Sequence, residues 1–440
     1  MKYFGTDGIR GIANKELTCE IAFKLGQYLG YKFTNKNILI GSDTRLSKDM
    51  LEASLCAGIT SMGANAYLAK IISTPGVSYL VKNNDFIGGI MISASHNPYY
   101  DNGLKVFNEN GVKISESLEL EIEDYLDNKI KLDVVDGENL GQVFDYTKEI
   151  DSYLTYLAST INVDLSKMNI IVDTANGSAS KLANLLFDKL NINYKIINSD
   201  YNGKNINLNC GSTHLEELQK KVKEGNYDLG IAFDGDADRM LAIASNGDII
   251  DGDYIIYICA KYLASTNRLN KDTVVCTIMA NMGLFKALDK LNIKYEKTQV
   301  GDKYVYEVME KENYQLGGEQ SGHIIFKEFA STGDGMLSAL QLMAALSYLK
   351  TDAQSIMQEV TIFPQVLKNV KVKDKKTLLK NQNLLDEVSK VENELANEGR
   401  VLLRASGTEP LVRVMVEASS IDLCNKYVDY LVSIVEELDK

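Results

Sequence analysis

Residues 189–197, KLNINYKII, and residues 290–298, KLNIKYEKT, are near copies of one another. A repeat constrains a fold more tightly than any single motif, because each copy must form the same local structure. The likeness extends outward. The first copy follows an apolar run at 169–173, a Gly/Ser loop and the helically spaced Leu182, Leu185, Leu186 and Leu190. The second follows an apolar run at 273–277, a loop at 281–283 and Leu284, Leu288 and Leu291. The N-terminal third has the same order: an apolar run at 37–41, a polar loop, a helical stretch ending near Gly63 and a strand-like segment at 64–69. Short apolar runs alternating with amphipathic helices predict three similar α/β units with mostly parallel, mixed sheets.

Each unit continues through another helical stretch into one more strand, at 86–92, 227–233 and 314–317. These strands open into the three most unusual loops of the chain: S-A-S-H-N-P at 93–98, D-G-D-A-D-R at 234–239 and G-E-Q-S-G-H at 318–323. Ligands of α/β folds gather beyond strand ends, so equivalent loops are expected to face one site. The last segment breaks the pattern. After Pro364 come a lysine-rich stretch, a charged helix at about 383–397, strand, loop and strand at 401–404, 405–410 and 411–418, and a closing helix. This predicts a smaller C-terminal α+β domain, with boundaries at 1–150, 151–252, 253–366 and 367–440.

At 440 residues the chain is too long for one ordinary core. It has no apolar run of about eighteen residues and no signal-like N-terminus, so a cytoplasmic protein without a membrane span is expected. The net charge of −13 argues against nucleic acid as a partner and makes basic residues in loops informative. The six cysteines are scattered, none in a C-x-x-C pair, and read as reduced thiols.

Asp234, Asp236 and Asp238 are carboxylates at alternate positions that repel one another unless a cation lies between them. An all-oxygen set favours magnesium or a similar ion. A calcium loop of the EF-hand type needs Gly and Glu where this chain has Arg239 and Ser245. A phosphoaspartate hydrolase loop also begins D-x-D. Ser95 lacks a G-x-S-x-G elbow, which speaks against acyl chemistry. Beside His96, Asn97 and Pro98, with Lys105 downstream as proton carrier or phosphate contact, it is suited to carry phosphate with a metal neutralising the charge. In R-A-S-G-T-E-P at 404–410, Arg404, Ser406, Gly407 and Thr408, followed by Arg413, offer hydroxyls, main-chain N–H groups and guanidinium forks to a second phosphate. Glu319, Ser321 and His323 suit sugar hydroxyls.

Together the four motifs resemble the α-D-phosphohexomutase family across essentially the whole chain. The resemblance implies four domains around a central cleft, a phosphoserine at Ser95, and one Mg2+ on Asp234, Asp236 and Asp238 with the Ser95 phosphate completing its shell. It implies that Arg10, His96 and Lys105 sit by the transferred phosphate, and that Arg239 and Lys303 contact substrate. Relatives often carry arginine where this chain has Lys303, and lysine holds phosphate as a point charge rather than a fork. The implied reaction moves phosphate between two hydroxyls of one sugar through a sugar bisphosphate, which also serves as activator. F-G-T-D-G-I-R-G at 4–11, C-G-S-T-H at 210–214, Gln320 and T-G-D-G at 332–335 point within the family to glucosamine 6-phosphate and glucosamine 1-phosphate, with glucose and mannose phosphates as alternatives. Outside the mutases, a metal-dependent sugar phosphatase or a sugar-phosphate sensor is the other reading. A small phosphosugar is the expected partner of a monomer or homodimer.

Overall fold

The computed structural model describes residues 2–5, 7–406 and 410–439. Two compact units divide these residues, one containing 1–279 and 292–358, the other 280–291 and 359–440.

The larger unit contains three sheets that repeat one strand order. In the first, Asn65–Ile71, Asn37–Ser42 and Gly88–Ile92 lie side by side in parallel, and Asp101–Asn108 returns antiparallel to Gly88–Ile92. Asn193–Ile197, Asn169–Asp173, Leu229–Phe233 and Met240–Ala244 do the same in the second. Lys294–Thr298, Thr273–Thr277, Leu316–Gly318 and Ile324–Phe326 do so in the third. Antiparallel edges extend the first two sheets, Gly8–Ile12 and Phe4–Gly5 beyond Asp101–Asn108, and Ile249–Ile250 beyond Met240–Ala244. The first sheet also gains the parallel Val143–Asp145. The near-copies KLNINYKII and KLNIKYEKT thus fill corresponding places: the end of a helix followed by the outer parallel strand of a sheet.

The central strands are apolar on both faces because helices cover both sides, as parallel sheets require. Ile38, Leu39, Ile40, Ile90, Met91 and Ile92 are all buried. The helix Gly335–Leu349 is buried from Gly335 through Leu346 and accordingly lacks a polar face. No helix among the described residues is long and apolar enough to cross a membrane.

The smaller unit has a three-stranded antiparallel sheet, with Leu411–Ala418 between Gln365–Lys371 and Gly399–Ala405. The helices Gln382–Leu395 and Ile421–Leu438 supply its core through Leu384, Val391, Val428 and Leu431. The helix Met282–Lys290 belongs here rather than with the third sheet. Asn281 exchanges hydrogen bonds with the main chain of Phe363, and the N–H of Met282 donates to the buried Glu417 at 3.0 Å.

Candidate active site

The repeated topology puts each unusual loop at the same joint, between the third parallel strand of a sheet and its antiparallel return. Ser95 lies in the first. Its backbone is left-handed, with φ 53°, and its N–H donates to Ser93 Oγ at 2.9 Å. Its carbonyl accepts from Arg45 Nη2 at 2.8 Å and from Asn207 Nδ2 at 2.9 Å. Arg45 is completely buried; it also donates to the carbonyls of Asn97, Pro98 and Asp101, and its Nε pairs with Asp43 at 2.9 Å. Asp43 in turn accepts from Ser93 Oγ at 2.6 Å. With its main chain pinned in this way, Ser95 directs Oγ to Asp234 Oδ2, to which it donates at 2.6 Å, and leaves it 3.4 Å from His96 Nδ1.

The second joint brings the three aspartates together. Asp234, Asp236 and Asp238 are buried, each with a carboxylate oxygen within 4.8 Å of the others'. The two joints can touch because residue 235 is glycine: a Cβ there would lie 2.6 Å from the carbonyl oxygen of Ser95. Lys105 Nζ reaches in from Asp101–Asn108 and donates to Asp236 Oδ2 at 2.6 Å and Asp238 Oδ2 at 3.2 Å. The Oδ1 atoms of Asp236 and Asp238 are buried without a hydrogen-bond partner. Burial and the two neighbouring carboxylates push the pKa of Asp234 well up. Burial also works against the charge of Asp238, but Lys105, His323 and Arg239 outweigh it and hold the group ionised. Buried oxygens with no protein donor, in an all-carboxylate cluster, fit a hard divalent cation.

Lys105 itself is held charged. Burial lowers its pKa, but Asp236 and Asp238 more than compensate. Its ammonium bridges the two carboxylates. His96 has the opposite tendency: burial, then Arg239 and Arg10, lower its pKa and favour neutral imidazole. Arg10 Nη2 approaches Asp7 at 3.4 Å and Arg239 Nε approaches Asp238 Oδ1 at 3.8 Å, and the Nε of each arginine is buried without a hydrogen bond. Both guanidiniums therefore retain capacity for an anion.

At the third joint the buried His323 stands 3.9 Å from Asp238 and 3.7 Å from Asp302, and its Nε2 accepts the N–H of Gly333 at 2.9 Å. Glu319 accepts from the N–H of Gly301 at 3.1 Å, and Ser321 is exposed. Lys303 does not join these residues: it lies on the exposed side of the helix Asp302–Glu312, its nearest carboxylate Glu307 at 4.0 Å. The inward residue is its neighbour Asp302, paired with Lys113 at 2.9 Å; adjacent positions on a helix start point about 100° apart. Lys113 also meets Asp7 at 3.3 Å.

In the smaller unit Arg404 and Arg413 are directly opposite one another on adjacent strands. The Nε of each is buried without a hydrogen-bond partner, and burial, with the charge of Arg413, lowers the pKa of Arg404. Like charges in register are unfavourable unless an anion joins them. Ser406 is buried, its N–H donating to the carbonyl of Leu411 at 2.9 Å. Gly407 and Thr408 lie outside the described residues.

Arg45, Thr74, Asn207, Asp302 and Lys113 carry no motif of their own. Arg45 had one usable signal, a D-x-R at 43–45 just beyond an apolar strand. Thr74 donates its hydroxyl to Asp236 from a different sheet unit, which no local pattern reveals.

The chain belongs to the phosphoglucomutase/phosphomannomutase family. Its α/β/α domains I, II and III match residues 1–133, 151–247 and 251–363, and its C-terminal domain matches residues 367–433. The chain is 49% identical to the phosphoglucosamine mutase of Oceanobacillus iheyensis, over 99% of each chain. It is also 49% identical to the phosphoglucosamine mutase of Bacillus cytotoxicus, over 99% of this chain and 98% of that one. A crystal structure of a phosphoglucomutase/phosphomannomutase family protein from Burkholderia thailandensis shares the fold, with a TM-score of 0.83 at 21% identity over 100% of this chain and 98% of that one.

Proposed function

We propose that this enzyme interconverts glucosamine 6-phosphate and glucosamine 1-phosphate, with Ser95 Oγ as the phosphoryl carrier. The observation that carries the transfer chemistry is the 2.6 Å contact from Ser95 Oγ to Asp234 within a buried triad of carboxylates. Asp234, Asp236 and Asp238 would hold one magnesium ion, whose charge stabilises the phosphoryl oxygens as bonding to phosphorus changes. Arg10 and Arg239, each with a spare Nε, grip the transferred group. Lys105 offsets the mutual repulsion of Asp236 and Asp238 beside the transferred phosphate.

In the forward direction a sugar hydroxyl attacks the phosphorus on Ser95. The new sugar O–P bond forms as the P–Oγ bond breaks, the hydroxyl proton passes to neutral His96, and His96, 3.4 Å from Oγ, passes a proton on to the leaving Ser95 oxygen. The resulting sugar bisphosphate turns end for end. Ser95 Oγ then takes the other phosphate, its proton passing through His96 to the sugar oxygen left behind. Arg404, Ser406, Gly407, Thr408 and Arg413 hold the phosphate that is not reacting. Glu319 and His323 face the sugar; an ammonium at C2 would pair with Glu319, and a plain hydroxyl there would gain less. The choice of amino sugar is supported by the named activity of relatives 49% identical over full length. The setting is the cytoplasm.

The test is kcat/KM for glucosamine, glucose and mannose 1-phosphates under identical bisphosphate activator and magnesium. The glucosamine phosphate should be turned over most efficiently. A preference for glucose or mannose phosphate would overturn the substrate, and retained activity after complete chelation would overturn the metal.

A further inference from the structure

Asp236 makes two bonds to a residue outside its own sheet. Thr74, 3% exposed, opens the helix Thr74–Asn83, whose N-cap Ser73 accepts the N–H of Gly76 at 3.1 Å. The N–H of Thr74 donates to the carbonyl of Asp236 at 3.0 Å, and its hydroxyl donates to Asp236 Oδ2. Lys105 donates to the same oxygen at 2.6 Å. One oxygen of this carboxylate thus has two donors, while the other, Oδ1, is buried with none.

That asymmetry has a physical consequence. The terminal torsion of an aspartate is broad and nearly two-fold, so sterics alone do not choose which oxygen points where. Lys105 chooses poorly, because it divides its ammonium between Asp236 and Asp238. The Thr74 hydroxyl serves Asp236 alone, and the adjacent main-chain bond fixes its distance from that carboxylate. We infer that Thr74 is the positioning residue that turns Asp236 Oδ1 toward the bound divalent cation. The inference rests on the triad being the metal site.

Outer partners of this kind change metal affinity or activity by about 10–100-fold when removed. Thr74→Val deletes the hydroxyl and keeps the side-chain size; Thr74→Ser keeps the hydroxyl. Mn2+ binding to the full-length protein, followed by its electron paramagnetic resonance signal, should be at least about tenfold weaker in Thr74→Val and close to wild type in Thr74→Ser. The Mg2+ concentration for half-maximal activity should rise with the Mn2+ dissociation constant, while kcat at saturating Mg2+ changes far less. Equal Mn2+ affinity in folded Thr74→Val, or equal weakening in Thr74→Ser, overturns the role of the hydroxyl. If wild type itself binds no Mn2+, the metal site falls, and this inference with it. Should Thr74→Val not fold, Thr74→Ala provides the same comparison.

Discussion

Arg45 Nη2 donates to the main-chain carbonyl of Ser95 at 2.8 Å, from a side chain with no exposure to solvent. A permanently charged group has been buried to hold a loop, with four carbonyls and the carboxylate of Asp43 as its compensation. Removing one partner of a buried pair leaves the other charge uncompensated. Arg45→Met should lower stability by about 3–5 kcal/mol, read from urea denaturation. Arg45→Lys should restore some stability but little turnover, since one ammonium cannot span the carbonyls that the fork reaches. A fully active Arg45→Lys would show that the loop holds its shape without the clamp.

Ser95→Ala should abolish nearly all turnover and remain folded. The lost hydroxyl makes one hydrogen bond to Asp234, and the main-chain bonds that shape the loop stay in place. Steady-state turnover at saturating bisphosphate, with a thermal melt of the same sample, measures both; comparable activity would exclude Ser95 as carrier.

Arg404→Ala should weaken phosphosugar binding by more than about tenfold, because a charge-assisted pair contributes about 1.5–3 kcal/mol. A neutral sugar should bind nearly as before. Calorimetric titration with each ligand distinguishes loss of a phosphate contact from general damage, which would weaken both.

Asp334 should make stability fall as pH rises through mildly acidic values. Burial pushes its carboxyl up to about 6 from an ordinary 3.8, although it accepts from Leu337 N–H and the Tyr153 hydroxyl. The folded chain holds this proton more tightly than the unfolded chain. Its contribution is therefore fully present below about pH 4 and lost as pH rises through about 6, a difference of about 3 kcal/mol. Asp334→Asn can still cap the helix Gly335–Leu349 and bond Tyr153, but does not titrate. Melting temperatures from pH 4 to 8 should favour the variant increasingly; parallel curves for the two proteins would refute the assignment.

Much of the architecture is readable in the chain because its signals are local. Apolar runs such as 37–41, 169–173 and 273–277 each become the strand at the middle of a repeated unit, and the three odd loops fall at one kind of joint. Ser95 and the aspartates stand out by residue type, and the structure brings them together. What escapes is non-local. Arg45 and Thr74 look ordinary until their partners at Ser95 and Asp236 are known. Whether Asp302 or Lys303 turns inward depends on where the helix begins, a matter of one residue. The helix Met282–Lys290 has the same amphipathic pattern as its counterpart Ala179–Lys189, yet Asn281 and Met282 tie it to Phe363 and Glu417, far along the chain.

The left-handed backbone at Ser95 also restricts which hydroxyl amino acid this loop accepts. Threonine can carry a phosphate as serine does, but a β-branched residue is a genuine outlier at φ 53°. Adopting it would cost on the order of 1–3 kcal/mol, in a loop already fixed by Arg45. A change from Ser95 to threonine, one that preserves the reacting group, is opposed by torsion rather than by reactivity. The choice of residue at this position is thereby narrowed by the shape of the main chain before any chemistry is considered.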